Sequence, residues 1–166
     1  MSDSSFDIFQ AASGEELGEA RELFREYARG LGVSLCFQGF EEELAGLPGK
    51  YAPPDGCLLL AKVEGTWAGC VALRPLEGEV CEMKRLSVRP AFQGRGFGRA
   101  LARRCLAEAH AIGYRVMRLD TLRRLRAALG LYASMGFVEI SPYCANPHED
   151  VVYLEKILHP DSMEFH

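Results

Sequence analysis

The densest chemistry-bearing stretch of the chain is Gln93-Gly94-Arg95-Gly96-Phe97-Gly98-Arg99. Its glycines let backbone amides crowd inward with no Cβ in the way. Ala100, Leu101, Cys105, Leu106 and Ala109 then recur at helical spacing. The loop therefore opens onto a helix start, whose unpaired N–H groups and dipole suit an anionic phosphate. Arg95 and Arg99 add positive charge. Packing alone is the competing reading of such a loop. Two familiar phosphate motifs fit poorly. No Lys-Ser or Lys-Thr follows the glycines, as a P-loop requires. A dinucleotide fingerprint needs Gly or Ala at its sixth position, where Arg99 or Leu101 stands, depending on which glycine counts as the first. Asp120 sits near the acidic position of that fingerprint, but the segments before the loop read as hairpins rather than a βαβ unit.

Metal and redox chemistry find little support. Cys36, Cys57, Cys70, Cys81, Cys105 and Cys144 form no CxxC pair and lie mostly in apolar segments, where free thiols act as small hydrophobes. His110, His148, His159 and His166 do not complete a ligand spacing with them, so no metal is expected. The net charge of −4 gives no general pull toward nucleic acid or an anionic membrane. The basic run Arg123-Arg124-Leu125-Arg126 reads as a solvated helix face, and no nucleic-acid partner is expected. The first five residues lack the features of a signal peptide, and no apolar run approaches the ~18 residues of a membrane span. The expectation is a cytoplasmic protein with no membrane partner.

The elements that must position the loop can be read from periodicity. With 166 residues, 48% of them hydrophobic, the chain is expected to form one domain spanning residues 1–166. Phe6 to Gln10 alternates as a strand. Ser13-x-x-Glu16 is a capping box opening a helix with Leu17, Ala20, Leu23, Phe24 and Tyr27 on one face. A short helix is expected from Phe40 to Leu47. Cys57 to Val63 and Thr66 to Leu73 pair as a hairpin around Glu64-Gly65, and a second turn runs from Arg74-Pro75 to Gly78. Val80 to Val88 is a strand ended by Pro90. Beyond the loop helix, which Gly113 ends, come a strand at Val116 to Asp120 and a helix from Leu122 to Met135 stopped by Gly136. Strands at Val138 to Ile140 and Val151 to Leu158 close the chain. The fold class is α/β (α+β): a mixed, mostly antiparallel sheet flanked by helices.

Two patterns together carry a resemblance. Gln-x-x-Gly-x-Gly directly after Leu86-Ser87-Val88-Arg89-Pro90 resembles the acetyl-CoA signature of the GNAT family of N-acetyltransferases. Ala128-x-x-Leu131-Tyr132-x-x-x-Gly136-Phe137 is similar to that family's C-terminal helix motif. The resemblance runs from Glu82 to about Leu158. It extends more loosely over Phe37-Gln38-Gly39-Phe40 and Tyr51-Ala52-Pro53-Pro54, which look like stretches in small bacterial members. It implies a sheet splayed after its fourth strand, with the pantetheine arm of acetyl-CoA along Leu86-Ser87-Val88. Backbone groups of Leu86 and Val88 would pair with the pantetheine amides, and one N–H there would polarise the thioester carbonyl. Amides of Gln93, Gly94, Arg95, Gly96, Phe97, Gly98 and Arg99 would hold the pyrophosphate.

The resemblance also implies catalytic roles. Tyr132 matches the family's general acid, which protonates the departing thiolate. Glu82 lies where members with a glutamate base carry it. Strand alternation would put Glu82, Lys84, Leu86 and Val88 on one face. The other reading of Glu82 is an exposed strand carboxylate paired with Lys84 or Arg85. Many relatives have an asparagine near the start of the last helix; here Leu122-Arg123-Arg124-Leu125-Arg126 has none, and Asp120-Thr121 are the substitutes. Phe37, Gln38, Tyr51, Tyr143 and Asn146 are candidates to line an acceptor pocket.

The expected reaction is direct acetyl transfer from acetyl-CoA to a primary amine of a small-molecule or amino-acid-like acceptor. A cysteine-bound acyl intermediate is disfavoured, because Cys81 should face away from Glu82 and Cys105 lies mid-helix. A non-catalytic acyl-CoA sensor, a protein N-acetyltransferase and a nucleotide-binding protein are the alternatives. Exposed strand edges leave room for a homodimer.

Overall fold

The computed structural model describes residues 6–31, 37–144 and 150–158; the side chains of residues 31, 37 and 38 lie outside that description. The chain order is β1 (Phe6–Gln10), α1 (Gly14–Leu31), α2 (Phe37–Ala45), β2 (Cys57–Val63), β3 (Thr66–Glu77) and β4 (Val80–Val88). There follow α3 (Phe97–Ile112), β5 (Val116–Leu122), α4 (Arg126–Ser134), β6 (Val138–Ile140) and β7 (Val151–Ile157). The strands form one sheet in the order β1-β2-β3-β4-β5-β7-β6. Every neighbouring pair is antiparallel except β4 with β5. This is the mixed, mostly antiparallel sheet that the sequence implies.

Local rules explain most boundaries. The capping box at α1 forms: the Ser13 hydroxyl accepts from the Glu16 N–H (3.1 Å), while the Glu16 carboxylate accepts from the N–H groups of Ser13 (3.0 Å) and Ala12 (2.8 Å). Gly113 closes α3 in the left-handed region, at φ 113°. Three expectations need correction. Strand β3 does not turn at Arg74-Pro75 but runs to Glu77, because the register slips between Pro75 and Glu77 and such irregularities tolerate proline. Helix α2 starts earlier than Phe40. Helix α4 starts at Arg126 rather than Leu122, since β5 runs on through Leu122 and residues 123–124 form a turn. The basic run is therefore mostly turn, with Arg123 paired to Glu139 at 3.0 Å.

Two cores sandwich the sheet. On one face Leu101, Ala102, Cys105 and Ala109 of α3 and Tyr132 of α4 pack on Leu59, Val71, Leu73, Cys81, Met83, Met117 and Leu119. On the other, Ala20, Leu23 and Phe24 of α1 and Phe40 and Leu44 of α2 cover Leu58, Leu60, Cys70 and Ala72. Each leucine fully buried in this way contributes about 1.5–3 kcal/mol.

Two irregularities in the middle of the sheet matter for function. First, β4 pairs with β5 only where Val80, Cys81 and Glu82 face Val116, Met117 and Arg118. Beyond those pairs the two strands part, leaving a fork. Second, β4 is bulged. Cys70 faces Ser87 and Ala72 faces Lys84, so Arg85 and Leu86 together oppose Val71 alone. Arg85 takes up the distortion at φ 64°. The expected alternation is thereby overturned. Leu86 and Val88 pack with Cys81 and Met83 against the α3–α4 core, on the face opposite Glu82 and Lys84.

Candidate active site

The glycine loop leaves its backbone unobstructed. Gly94 (φ 78°) and Gly96 (φ 88°) occupy the left-handed region, and a Cβ on either would meet no atom within 4 Å. Gly96 precedes α3 without a side-chain cap, and the first turn of α3 carries no acidic residue. The N–H groups of that turn are thus left to an external acceptor. Phe97 anchors the loop between Phe6 and Phe92, with ring centroids at 4.7 and 6.2 Å, and Arg95 lies over the rings of Phe92 and Phe97.

Two loop side chains have intramolecular tasks. Gln93 folds back so that its Nε2 donates to the Val88 carbonyl (2.8 Å), which already has one partner before any ligand arrives. Arg99 donates to the Ser134 hydroxyl (3.0 Å), tying α3 to α4. Ser87 is half-buried at the end of β4, opposite Cys70.

The fork between β4 and β5 opens into a cleft of ≈ 50 Å³. Met83, Lys84, Arg85 and Leu86 form one wall, Asp120 and Thr121 the other. Leu125, just before α4, and Ala128 and Tyr132 of α4 close it from one face of the sheet, and Tyr27 of α1 from the other. Tyr132 is 7% exposed, packs edge-on against Phe137 at 5.7 Å, and makes no hydroxyl hydrogen bond among the described residues. Burial pushes its phenol well above the ordinary range, so it is a neutral O–H at any physiological pH. Burial likewise pushes Tyr27 up to about 12. Thr121 is buried at the same site.

Glu82 stands just before the fork and is only 3% exposed. Its Oε1 accepts from Arg74 (2.8 Å), and its Oε2 accepts from the Tyr143 hydroxyl (2.7 Å), with Lys84 Nζ at 4.0 Å. Of the expected strand partners it thus meets Lys84 but not Arg85. Tyr143 packs edge-on against Tyr153 at 5.2 Å, and Arg118 lies over its ring. Burial, then the negative charge of Glu82, raises the Tyr143 phenol. Arg85 forms a two-pronged pair with Glu43 (2.8 and 3.0 Å).

The acceptor candidates scatter. Tyr143 reaches the Glu82 cluster. Tyr51 lies wholly inside the α1–α2 core, where its hydroxyl donates to Glu43 Oε2 at 2.9 Å. Asn146 and the side chains of Phe37 and Gln38 lie outside the described residues. Cys57, Cys70, Cys81 and Cys105 are buried free thiols, whereas Cys144 is exposed. Sequence reasoning missed Tyr27, Arg74 and the wall position of Lys84. Placing a turn at Arg74-Pro75 hid Arg74, whose partnership with Glu82 arises across the hairpin.

A sheet forked after its fourth strand, with an uncapped glycine-rich helix start beside the fork and a neutral buried tyrosine over it, defines an acyl-CoA-dependent N-acetyltransferase. The chain belongs to the acetyltransferase (GNAT) family, whose model matches residues 19–137. An uncharacterised N-acetyltransferase of Schizosaccharomyces pombe is 40% identical over 156 residues, covering 93% of this chain and 96% of that protein. The N-acetylaspartate synthetase of Danio rerio is 32% identical over 113 residues, 67% of this chain and 40% of that one. Among solved structures, an acetyltransferase from Salmonella typhimurium with its cofactor acetyl-CoA superimposes with a TM-score of 0.73 at 19% identity, covering 92% of this chain and 94% of that one. No helix among the described residues is long and apolar enough to cross a membrane.

Proposed function

We propose that this chain moves the acetyl group of acetyl-CoA directly to the primary amine of a small-molecule or amino-acid-like acceptor. The observation that carries this reading is the fork: beyond Glu82 the β4–β5 ladder stops, and the opening is flanked by the glycine loop and overlooked by Tyr132. The residues fit acetyl-CoA. Amides from Gln93 to Arg99 take the pyrophosphate, the unpaired edge of β4 along Leu86, Ser87 and Val88 takes the pantetheine, and Thr121 lines the opposite wall. When bound, acetyl-CoA supplies the acetyl group as a thioester: a C–N bond forms as the C–S bond breaks, one ammonium proton goes to solvent and one ends on the thiol.

Tyr132, kept neutral by burial, is the O–H that donates to the sulfur as the C–S bond breaks. Glu82, steadied by Arg74 and Tyr143 just before the fork, is the carboxylate that accepts the proton the acceptor's ammonium gives up. A cysteine-linked route fits badly, because Cys81 is buried on the opposite face with its thiol pushed up to about 12. The amino-acid product named for the Danio rerio relative favours an amino-acid-like acceptor. The reading also keeps a cytoplasmic location and a homodimer as expectations.

Release of CoA thiol over a panel of amines tests this. Turnover on at least one amine is expected, with kcat falling about 10²–10⁴-fold in Tyr132→Phe while acetyl-CoA still binds. Binding of acetyl-CoA with no turnover on any amine would instead mark a sensor.

A further inference from the structure

Glu82 and Arg118 are the last paired residues of the parallel β4–β5 ladder. Two residues further along each strand, on the same face of the sheet, stand Lys84 and Asp120. They occupy opposite walls of the cleft, at the point where the strands part. Asp120 makes no ion pair or hydrogen bond among the described residues. Among the described residues Lys84 has only the long 4.0 Å approach to Glu82, a carboxylate already taken by Arg74 and Tyr143. A half-buried cation and a half-buried anion thus face each other across a gap without meeting.

The surroundings sort the two walls by sign. On the β4 side Arg85 lines the cleft, Arg74 lies beyond it on Glu82, and Lys50, an exposed residue of the turn at Gly49–Tyr51, feels the charges of Arg74, Lys84 and Arg85. Glu43 is committed to Arg85 and Tyr51, and Glu82 to Arg74 and Tyr143. Lys50 has no ion pair among the described residues, and its ammonium is disfavoured by burial and then by Arg74, with Glu43 offsetting part of the effect. Arg74 Nε is buried without a hydrogen-bond partner. Such an unmatched donor among cations invites an acceptor oxygen. The β5 side differs. Arg118 is taken up by Glu155 (2.9 Å) and Glu77 (3.8 Å), leaving Asp120 as the charge that faces the cleft. Tyr27, Tyr132, Tyr143 and Cys144 all feel its negative charge.

We propose that the acceptor is a free amino acid or a closely similar zwitterion, its ammonium drawn to Asp120 and its carboxylate held by Lys84 beside Arg74 and Lys50. This rests on the acetyl-transfer reading above and names its substrate class. A simple amine would leave Lys84 and Lys50 uncompensated and be repelled by them. A zwitterion spans the gap and neutralises both walls, with its nitrogen in the fork beside Tyr132.

The test compares kcat/KM for a panel of free amino acids with that for the corresponding decarboxylated amines and amino-acid amides, in wild type, Lys84→Met and Asp120→Asn. Acetyl-CoA affinity is measured for each protein to establish that it is folded. Wild type should prefer a free amino acid over its decarboxylated counterpart by on the order of 10- to 100-fold, the worth of one or two charged hydrogen bonds. Lys84→Met should bring that ratio close to one, and Asp120→Asn should raise KM for acceptors of either kind. Equal or better use of decarboxylated amines by wild type overturns the proposal and leaves the acetyl-transfer reading standing. A preference that Lys84→Met does not change overturns it as well. Acetyl-CoA binding without turnover on any compound sinks both.

Discussion

A valine at position 96 would meet two separate obstacles. At φ 88° a side chain costs about 1–2 kcal/mol in the chain alone, and branching at Cβ sharpens that cost. Nothing lies within 4 Å of the added Cβ, so the rest of the penalty appears only when a ligand enters the cradle. Gly96→Val should therefore lower the melting temperature by a few degrees yet abolish acetyl-CoA binding in calorimetric titration. Arg99→Ala should only weaken binding, because its guanidinium is already engaged with Ser134. Equal and minor losses of affinity in the two variants would make the loop structural. At this scale the sequence was informative wherever chemistry demands a residue type: amides without Cβ atoms point to Gly94 and Gly96, and a neutral proton donor beside the fork points to Tyr132. Partnership across strands is another matter. Nothing local to Arg74, Lys84 or Asp120 says which neighbour each one has, because that depends on register and on where two strands part.

The bulge at Arg85 turns β4 from an ordinary sheet strand into the wall of a cleft. It rotates Leu86 and Val88 onto the α3–α4 face, beneath the fork, while Glu82 and Lys84 stay on the other. A period-2 reading of Val80 to Val88 cannot reveal this, since one extra residue leaves the sequence equally strand-like and inverts every position after it. The distortion is held by charge. Arg85 and Glu43 pair through two hydrogen bonds with 9% of each side chain exposed, Tyr51 donates to the same carboxylate, and the guanidinium lies over Phe40 at 5.3 Å. Removing one member of such a pair strands a buried charge, so Arg85→Met or Glu43→Met alone should cost about 3–5 kcal/mol. Replacing both, as Arg85→Met with Glu43→Met, should cost clearly less than the sum of the single changes. Urea midpoints of the four proteins check this; strict additivity would mean that the pair does not support the bulge.

Across the whole molecule, element order was legible because each segment carries its own period and stop signals, whereas the ends of β3 and α4 were not, because tertiary pairing moved them past Pro75 and Leu122. The tyrosines spread through the fold share a chemical trait. All six tyrosines, Tyr27, Tyr51, Tyr114, Tyr132, Tyr143 and Tyr153, have phenols raised above the ordinary value, with burial the leading cause for each. They come from α1, the turn before β2, the segment entering β5, α4, the loop after β6 and β7, so their protonation reports on the entire fold. In the unfolded chain a phenol ionises near pH ~10. In the folded chain the neutral form is favoured to higher pH, reaching about 12 for Tyr27. Because the folded value lies above the unfolded one, the unfolded state loses its protons first as pH rises. The contribution of these phenols to stability is therefore intact below pH ~10 and drains away above it, for Tyr27 between ~10 and about 12. Melting temperature should fall steeply in that interval, and tyrosinate absorbance should grow in step with the loss of far-ultraviolet circular dichroism. Tyrosinate signal appearing near pH ~10 from a chain that keeps its full dichroism would mean that the phenols, Tyr27 and Tyr132 of the cleft among them, are open to water.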